Sequence, residues 1–302
     1  MTSNVIVTKE STSLISRSAL VVFCLGAGFA YRASVSLIPT GVFEDGFLLG
    51  LAALFLAVAV LAWRSPNLRS YWEIPCAFFV FTIAGLAGDV SISPLQHWFI
   101  HDILHETPSA NNPLASTVLG TVLAQLFGTL SIILPILLLT KASGSDLKSI
   151  FIDKTRNRWA LVVGIIGFLV FYLFSASGRA QRFFPTNGVT PSRFLALTPA
   201  LIVLVLCNGL REELWFRGLF LKKYGTFLSP LSSNMLAAII FTSFHVQVTY
   251  TPAVLPFLGI TLVSGLFYGY LMQKSGSVLA SAIFHAGMDI PIFLVYLSYA
   301  ST

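Results

Sequence analysis

Charge is scarce in this chain of 302 residues. Only 12 residues are acidic, and charged side chains make up 10% of the whole, far below the quarter usual in soluble domains, which excludes an ordinary water-soluble globule. Cysteine is almost missing as well. Cys24, Cys76 and Cys207 all fall in apolar runs without metal-ligand spacing, which argues against a disulfide framework and a cysteine-rich metal site and leaves packing as their role. No His-Glu-x-x-His sequence occurs, so the zincin arrangement of two imidazoles on one helix face is excluded. Internal repeats, low-complexity tracts and polar stretches long enough to fold alone are also absent.

Hydrophobic residues, by contrast, reach 56%, and mean hydropathy is +0.83. Apolar runs recur at Ala19–Tyr31, Gly46–Trp63, Ile74–Gly88, Leu114–Thr140, Trp159–Ser175, Phe194–Leu210, Leu231–Val246, Ala253–Met272 and Val278–Tyr299. A spanning helix needs about 17–25 mostly apolar residues. The runs therefore predict an all-α polytopic membrane bundle of eight or nine transmembrane helices, the first and third being short. The lipid bilayer is its first partner.

The net charge of +6 would raise the question of nucleic acid in a soluble protein. Here the basic residues sit at helix ends, where they set orientation, and no nucleic-acid partner is expected. The loop Lys141–Arg158 carries five of them and is read as cytoplasmic. Counting spans outward puts Lys9, Arg17, Arg64, Arg69, Arg211, Arg217, Lys222, Lys223 and Lys274 on the same side, against Arg32, Arg179, Arg182 and Arg193. The N-terminus is then cytoplasmic, the first helix is uncleaved, and the membrane expected is the cell membrane. The three arginines at 179–193 oppose this scheme.

The polar residues divide the chain. Residues 1–193 read as a transmembrane region of no assigned role, and 194–292 as a core holding the intramembrane ionisable groups. Glu212 and Glu213 close the run Phe194–Leu210, where an ion costs about 2.5–3.5 kcal/mol even on insertion scales. Neighbouring helix positions point about 100° apart, so the two carboxylates face different neighbours. Glu213 and Arg217 are four apart in the favourable order for an ion pair, which makes Glu213 the structural partner and Glu212 the reactive one. A charge cluster at a helix end is the plain alternative. His245 follows Phe241 by one turn, and His285 and Asp289 share a helix face. One intramembrane histidine is more often an interhelical hydrogen-bonder than a catalyst. Three helices that each present such groups can satisfy one another, and together read as a hydrolytic site.

Two further patterns have plainer readings. His97, His101 and His105 recur every four residues; aligned on a helix they would suit a metal, but the polar face of an amphipathic surface helix is preferred. Gly265 and Gly269 form a small-xxx-small face for close helix packing.

The segments Glu212-Glu-Leu-Trp-Phe-Arg217, Phe241-Thr-Ser-Phe-His245 and His285-Ala-Gly-Met-Asp289 resemble, in order and approximate spacing, the three motifs of the CPBP family. These are the CAAX proteases and bacteriocin-processing enzymes, also called Abi-type intramembrane glutamic endopeptidases, with the pattern Glu-Glu-x-x-x-Arg, Phe-x-x-x-His, His-x-x-x-Asn or Asp. The resemblance covers about residues 195–292. It implies a membrane endopeptidase in which Glu212 and His245 activate water while His285 and Asp289 stabilise the oxyanion, with Glu213, Arg217 and Phe241 supporting them. Asp289 stands where asparagine is the better donor, since an ionised carboxylate repels an oxyanion. The substrate implied is a membrane-presented peptide or protein, lipidated or leader-bearing. No cofactor is expected. A zinc-dependent metalloprotease using the same residues is the alternative within this class, and a non-catalytic scaffold or transporter is the alternative outside it.

Overall fold

The computed structural model describes residues 14–39, 41–89 and 93–301. Lys9, counted above on the cytoplasmic side, and the rest of the N-terminal tail lie outside the described residues. Among those described, the chain is helical without strands; the only β-pairs are isolated bridges, Ser109 with Asn112 and Thr117 with Ser301. The helices are α1 (Leu14–Leu37), α2 (Val42–Arg64), α3 (Glu73–Gly88), α4 (Pro94–Trp98), α5 (Val118–Ala142), α6 (Arg158–Ala176), α7 (Pro191–Glu212), α8 (Leu221–Tyr224), α9 (Pro230–Ser243), α10 (Val254–Ser275) and α11 (Val278–Tyr299). Among the described residues, eight segments are long and apolar enough to cross a bilayer, and one of them, Pro191–Tyr224, joins α7 to α8 through a π-helical turn at Glu213–Gly218.

The seventh apolar run, Leu231–Val246, does not yield a full-length span. Helix α9 has 14 residues, about 21 Å at 1.5 Å per residue, and stops before His245. Its start is fixed by Ser229, whose hydroxyl accepts from the Ser232 amide at 3.1 Å, with Pro230 in the first turn. Helix α7 begins the same way, with Thr190 as cap and Pro191 next. The fourth run also shortens. Its first residues, 114–117, are loop, and Thr117 caps α5 by accepting from the Gly120 amide at 2.9 Å.

Helix α11 is the axis of the bundle. Its apolar window is 72% buried, the highest of the spans, so a histidine and an aspartate at its middle are surrounded by protein rather than lipid. It packs closely on α7, where a Cβ on Gly209 would lie 2.5 Å from the Ala282 carbonyl oxygen. The first region of the chain is part of the same body. Tyr31 of α1 stacks on Phe244 at 5.6 Å and meets Trp215 edge-on at 6.1 Å, and the Trp215 indole N–H donates to the Phe81 carbonyl of α3 at 2.9 Å.

Hydrogen bonds between loops define the two ends of the bundle. At one end the Arg156 amide donates to the Ser275 carbonyl at 2.8 Å, Gln273 donates to the Pro230 carbonyl at 3.0 Å, and the Lys222 ammonium donates to the Lys148 carbonyl. This end gathers Arg64, Arg69, Lys141, Lys148, Lys154, Arg156, Arg158, Lys222, Lys223 and Lys274, with Arg17 near the start of α1. At the other end Thr251 donates to the Phe183 carbonyl at 2.9 Å, the Asn187 amide donates to Ser298 at 2.9 Å, and Arg32 donates to Gln247 at 2.9 Å. Its basic residues are Arg32, Arg179, Arg182 and Arg193. Arg211 and Arg217, counted above among the loop cations, lie within the bundle instead: Arg217 is fully buried and Arg211 is largely so. Both follow from α7 running on through Glu212 rather than ending before it.

The histidine stripe is broken. Helix α4 lasts five residues, a π-turn follows at Phe99–Ile103, and His105 adopts a left-handed φ of 54°. His97 and His101 remain parallel at 6.1 Å on the exposed surface, while His105 leaves the row. The opened turn is held by Glu106, which accepts from the Ser116 and Thr117 amides at 2.8 and 3.2 Å and from both hydroxyls.

Candidate active site

Four elements bring the polar groups together: α7 with its π-turn, the turn after α9, α10 and α11. Consecutive residues of α7 diverge as helix geometry requires. Glu213 has no exposed side-chain surface, whereas Glu212 keeps 16% and looks into a cavity.

Glu213 is a hub. Its Oε1 lies 2.6 Å from Arg217 Nη1 and 2.9 Å from His285 Nδ1, and its Oε2 accepts from the Ser281 hydroxyl. A buried carboxylate with three donors is far less costly than an unpaired one. The Arg217 guanidinium also donates from Nε to the Gly265 carbonyl at 3.3 Å, and its carbon stands 4.3 Å from the Phe241 ring centre and 5.0 Å from that of Tyr268. A Cβ at Gly265 would come within 3.0 Å of Arg217 Nη2, so this glycine makes room for the guanidinium. Gly269, one turn on, faces Asn234 more tightly still.

His285 is clamped between the Tyr268 ring, stacked at 4.4 Å, and the edge of Phe241 at 5.6 Å. Its Nδ1 carries the proton given to Glu213. Its Nε2 therefore faces two other carboxylates, Glu212 Oε2 and Asp289 Oδ1, each 3.6 Å away. His245 has Nδ1 protonated by the same logic: Nδ1 lies 3.0 Å from the Phe241 carbonyl, which can only accept. The lone pair of the neutral ring is then on Nε2. His245 lines the cavity that Glu212 and Asp289 also line.

Asn208 was not singled out by the sequence. Its Nδ2 donates to Glu212 Oε1 at 3.1 Å and to Asp289 Oδ2 at 2.9 Å, and its Oδ1 accepts from Arg211 Nη2 at 2.5 Å and Gln125 Nε2 at 3.4 Å. Carboxylates on one side and donors on the other fix which way the amide points. Ser281, Arg211 and Tyr268 were missed as well. Asn208 lies four residues before Glu212 and Ser281 four before His285, a spacing that could have marked both.

Three cavities converge here. One, of about 320 Å³, is almost wholly apolar and lies between α6, α10 and α11, walled by Phe171, Phe174, Phe257, Ile260 and Met288. The second, about 190 Å³, holds Asn208, Arg211 and Glu212. A third, about 410 Å³, leads from Glu212 and Trp215 past Tyr250 and Tyr296 to Arg32, Asp89 and Gln247. His245 and Asp289 line both the apolar cavity and the second one. Among the described residues, no set of three or more His, Cys, Asp or Glu side chains converges as a metal-ligand group.

Carboxylates and imidazoles line a polar cavity beside an apolar slot, an arrangement suited to hydrolysis within a membrane. Residues 194–291 match the family model described as Type II CAAX prenyl endopeptidase Rce1-like. The match spans about a third of the chain; it likens this region to the CPBP peptidases and supports a CAAX-type intramembrane protease, a hydrolase of peptide bonds. Comparison with curated proteins and with solved structures found no match.

Proposed function

We propose that the protein is an endopeptidase that uses water activated by Glu212 and His245 to cut a membrane-presented peptide or protein, with His285 and Asp289 on the oxyanion. The observation that carries this reading is the meeting of an apolar cavity with a polar one at His245 and Asp289. A scissile bond at that seam keeps its apolar flank, lipid chain or leader segment, in the slot between α6, α10 and α11. Its carbonyl then reaches water held by charged groups.

The chemistry divides among the named atoms. Water between Glu212 and His245 gives its proton to the Glu212 carboxylate as its oxygen bonds to the carbonyl carbon. The negative charge that develops on the carbonyl oxygen is met by the Nε2–H of a doubly protonated His285, whose Nδ1–H is held by Glu213 and whose positive charge is balanced by the surrounding carboxylates. Collapse breaks the C–N bond, and the proton passes from Glu212 to the leaving amine. Asp289 acts either as a protonated donor or by orienting His285, from which it is 3.6 Å away.

In this reading the end rich in lysine and arginine is cytoplasmic, which places the N-terminus inside, in the cell membrane. The decisive test is cleavage of a membrane-embedded peptide library by purified protein, with Glu212→Gln as control. Products from the wild type alone support the assignment, and equal products from both overturn it.

A further inference from the structure

Building on the proposed hydrolytic site, we infer that its aqueous mouth opens on the extracytoplasmic face, so that the substrate presents its scissile segment from outside the cytoplasm. Two independent observations meet in this. The first is the path of the third cavity, about 410 Å³. It starts at Glu212 and His245 and finishes at Arg32, Asp89 and Gln247. Those last three residues belong to the end of the bundle where α1 and α3 finish and α10 begins, and Arg32 Nη2 is bonded to Gln247 there at 2.9 Å. No cavity residue comes from the loops at 141–158 or 273–278.

The second observation is the charge on the two ends. Eleven lysines and arginines collect at the end away from the mouth and four at the mouth itself. Short loops rich in these residues stay on the cytoplasmic side, whereas acidic residues have little say in orientation. Of the four at the mouth, two are committed to the fold or the cavity. Arg193 pins the end of α11 by donating to the Asn187 and Ser298 carbonyls at 3.0 and 2.9 Å, and Arg32 lines the cavity wall. The three arginines at 179–193 are thus outweighed. Water, and any hydrophilic stretch of a substrate, enters from the face opposite the basic loops. The matching substrate class is a peptide segment next to the membrane on its outer side, such as the juxtamembrane part of an exported protein.

Single-cysteine reporters test this without relying on activity. In a variant whose three native cysteines are replaced by serine or alanine, Gln247→Cys marks the mouth and Lys154→Cys marks the basic end. Intact cells are treated with a membrane-impermeant maleimide, and permeabilised cells give the total. The expected result is that Gln247→Cys labels as fully in intact cells as after permeabilisation, while Lys154→Cys labels only after it. Labelling of Gln247→Cys only after permeabilisation, or of both positions in intact cells, overturns the inference. In a second arm, a charged, impermeant peptide that the detergent-solubilised enzyme cleaves is added outside sealed right-side-out vesicles. Cleavage there at the detergent rate supports the outward mouth; cleavage only after the vesicles are opened contradicts it. If no peptide is cut in detergent either, the hydrolytic reading fails, while the labelling result still decides the sidedness.

Discussion

Glu213 Oε1 stands 2.9 Å from His285 Nδ1 although 72 residues separate the two in sequence. The same oxygen lies 2.6 Å from Arg217. One carboxylate therefore neutralises a buried cation and orients an imidazole. Glu212, its neighbour in the chain, turns its own oxygens toward the cavity, one of them 3.6 Å from His285 Nε2. These contacts support the proposed division between a supporting Glu213 and a reacting Glu212.

Glu212→Gln is expected to cut turnover by at least ~10²-fold, the usual share of a general base, with an unchanged melting profile. Arg217→Ala should instead destabilise the fold by about 3–5 kcal/mol, since it strands a buried carboxylate, and Glu213→Gln should lower both stability and activity. Thermal melts and cleavage assays on the purified variants check this. Activity of Glu212→Gln near that of the wild type removes Glu212 from its role.

Asp289→Asn should preserve or raise activity, because an amide donates without needing a proton from solvent. Asp289→Ala should lose about 10²–10³-fold, the cost of one oxyanion donor. If the carboxylic acid is the donor, the wild type loses rate as pH rises and the asparagine variant does not. An asparagine variant as inactive as the alanine one shows that the carboxylate itself is required.

Metal dependence has a direct readout. The expected outcome is far less than one zinc per chain in purified protein and full activity in a strong chelator. Stoichiometric zinc that disappears in His245→Ala points to the metalloprotease alternative.

Glu106, in the loop outside the spans, gives a pH prediction for stability. Burial tends to raise its pKa, but hydrogen bonds from Ser116 and Thr117 outweigh that and hold the carboxyl below the usual range. A depressed folded value contributes stability above the unfolded pKa, near 4.3, and that contribution is lost as pH falls through the folded value. Glu106→Gln should therefore cost about 1.5–3 kcal/mol at neutral pH. The gap from wild type should shrink below about pH 4. A gap independent of pH in thermal melts between pH 3 and 7 contradicts this role.

Much of the molecule was legible in the sequence because its physics is local. Apolar runs set the spans, and the four-residue spacing of Glu213 and Arg217 appears as the ion pair on one helix. What escaped depends on neighbours distant in the chain. Asn208 reads as an ordinary polar residue near a helix end, and only α11 packed against Gly209 brings Asp289 to its amide. Ser281 needs Glu213 from another helix to have any evident task. The run Leu231–Val246 reads as a full span because hydropathy does not register where a helix ends, and His245 sits in the turn after that end. The three-histidine stripe failed for a related reason, since equal spacing guarantees alignment only while the helix continues.

Helix α9 sets a thickness that the surrounding bilayer must match. Its row Leu231, Met235 and Ile239 is exposed, facing acyl chains over about 21 Å where a typical hydrocarbon core is about 30 Å. Lipid beside α9 is therefore compressed or tilted, and a foreign helix approaching along this flank meets a membrane too shallow to bury it fully. Its last turns are pushed toward the headgroups near His245, where the loss of hydrocarbon cover makes unwinding cheaper. On the proposed hydrolytic reading, segments with short or glycine-rich membrane stretches are expected to give up their helix most readily there, which would make fragility of the incoming helix a selection rule in its own right.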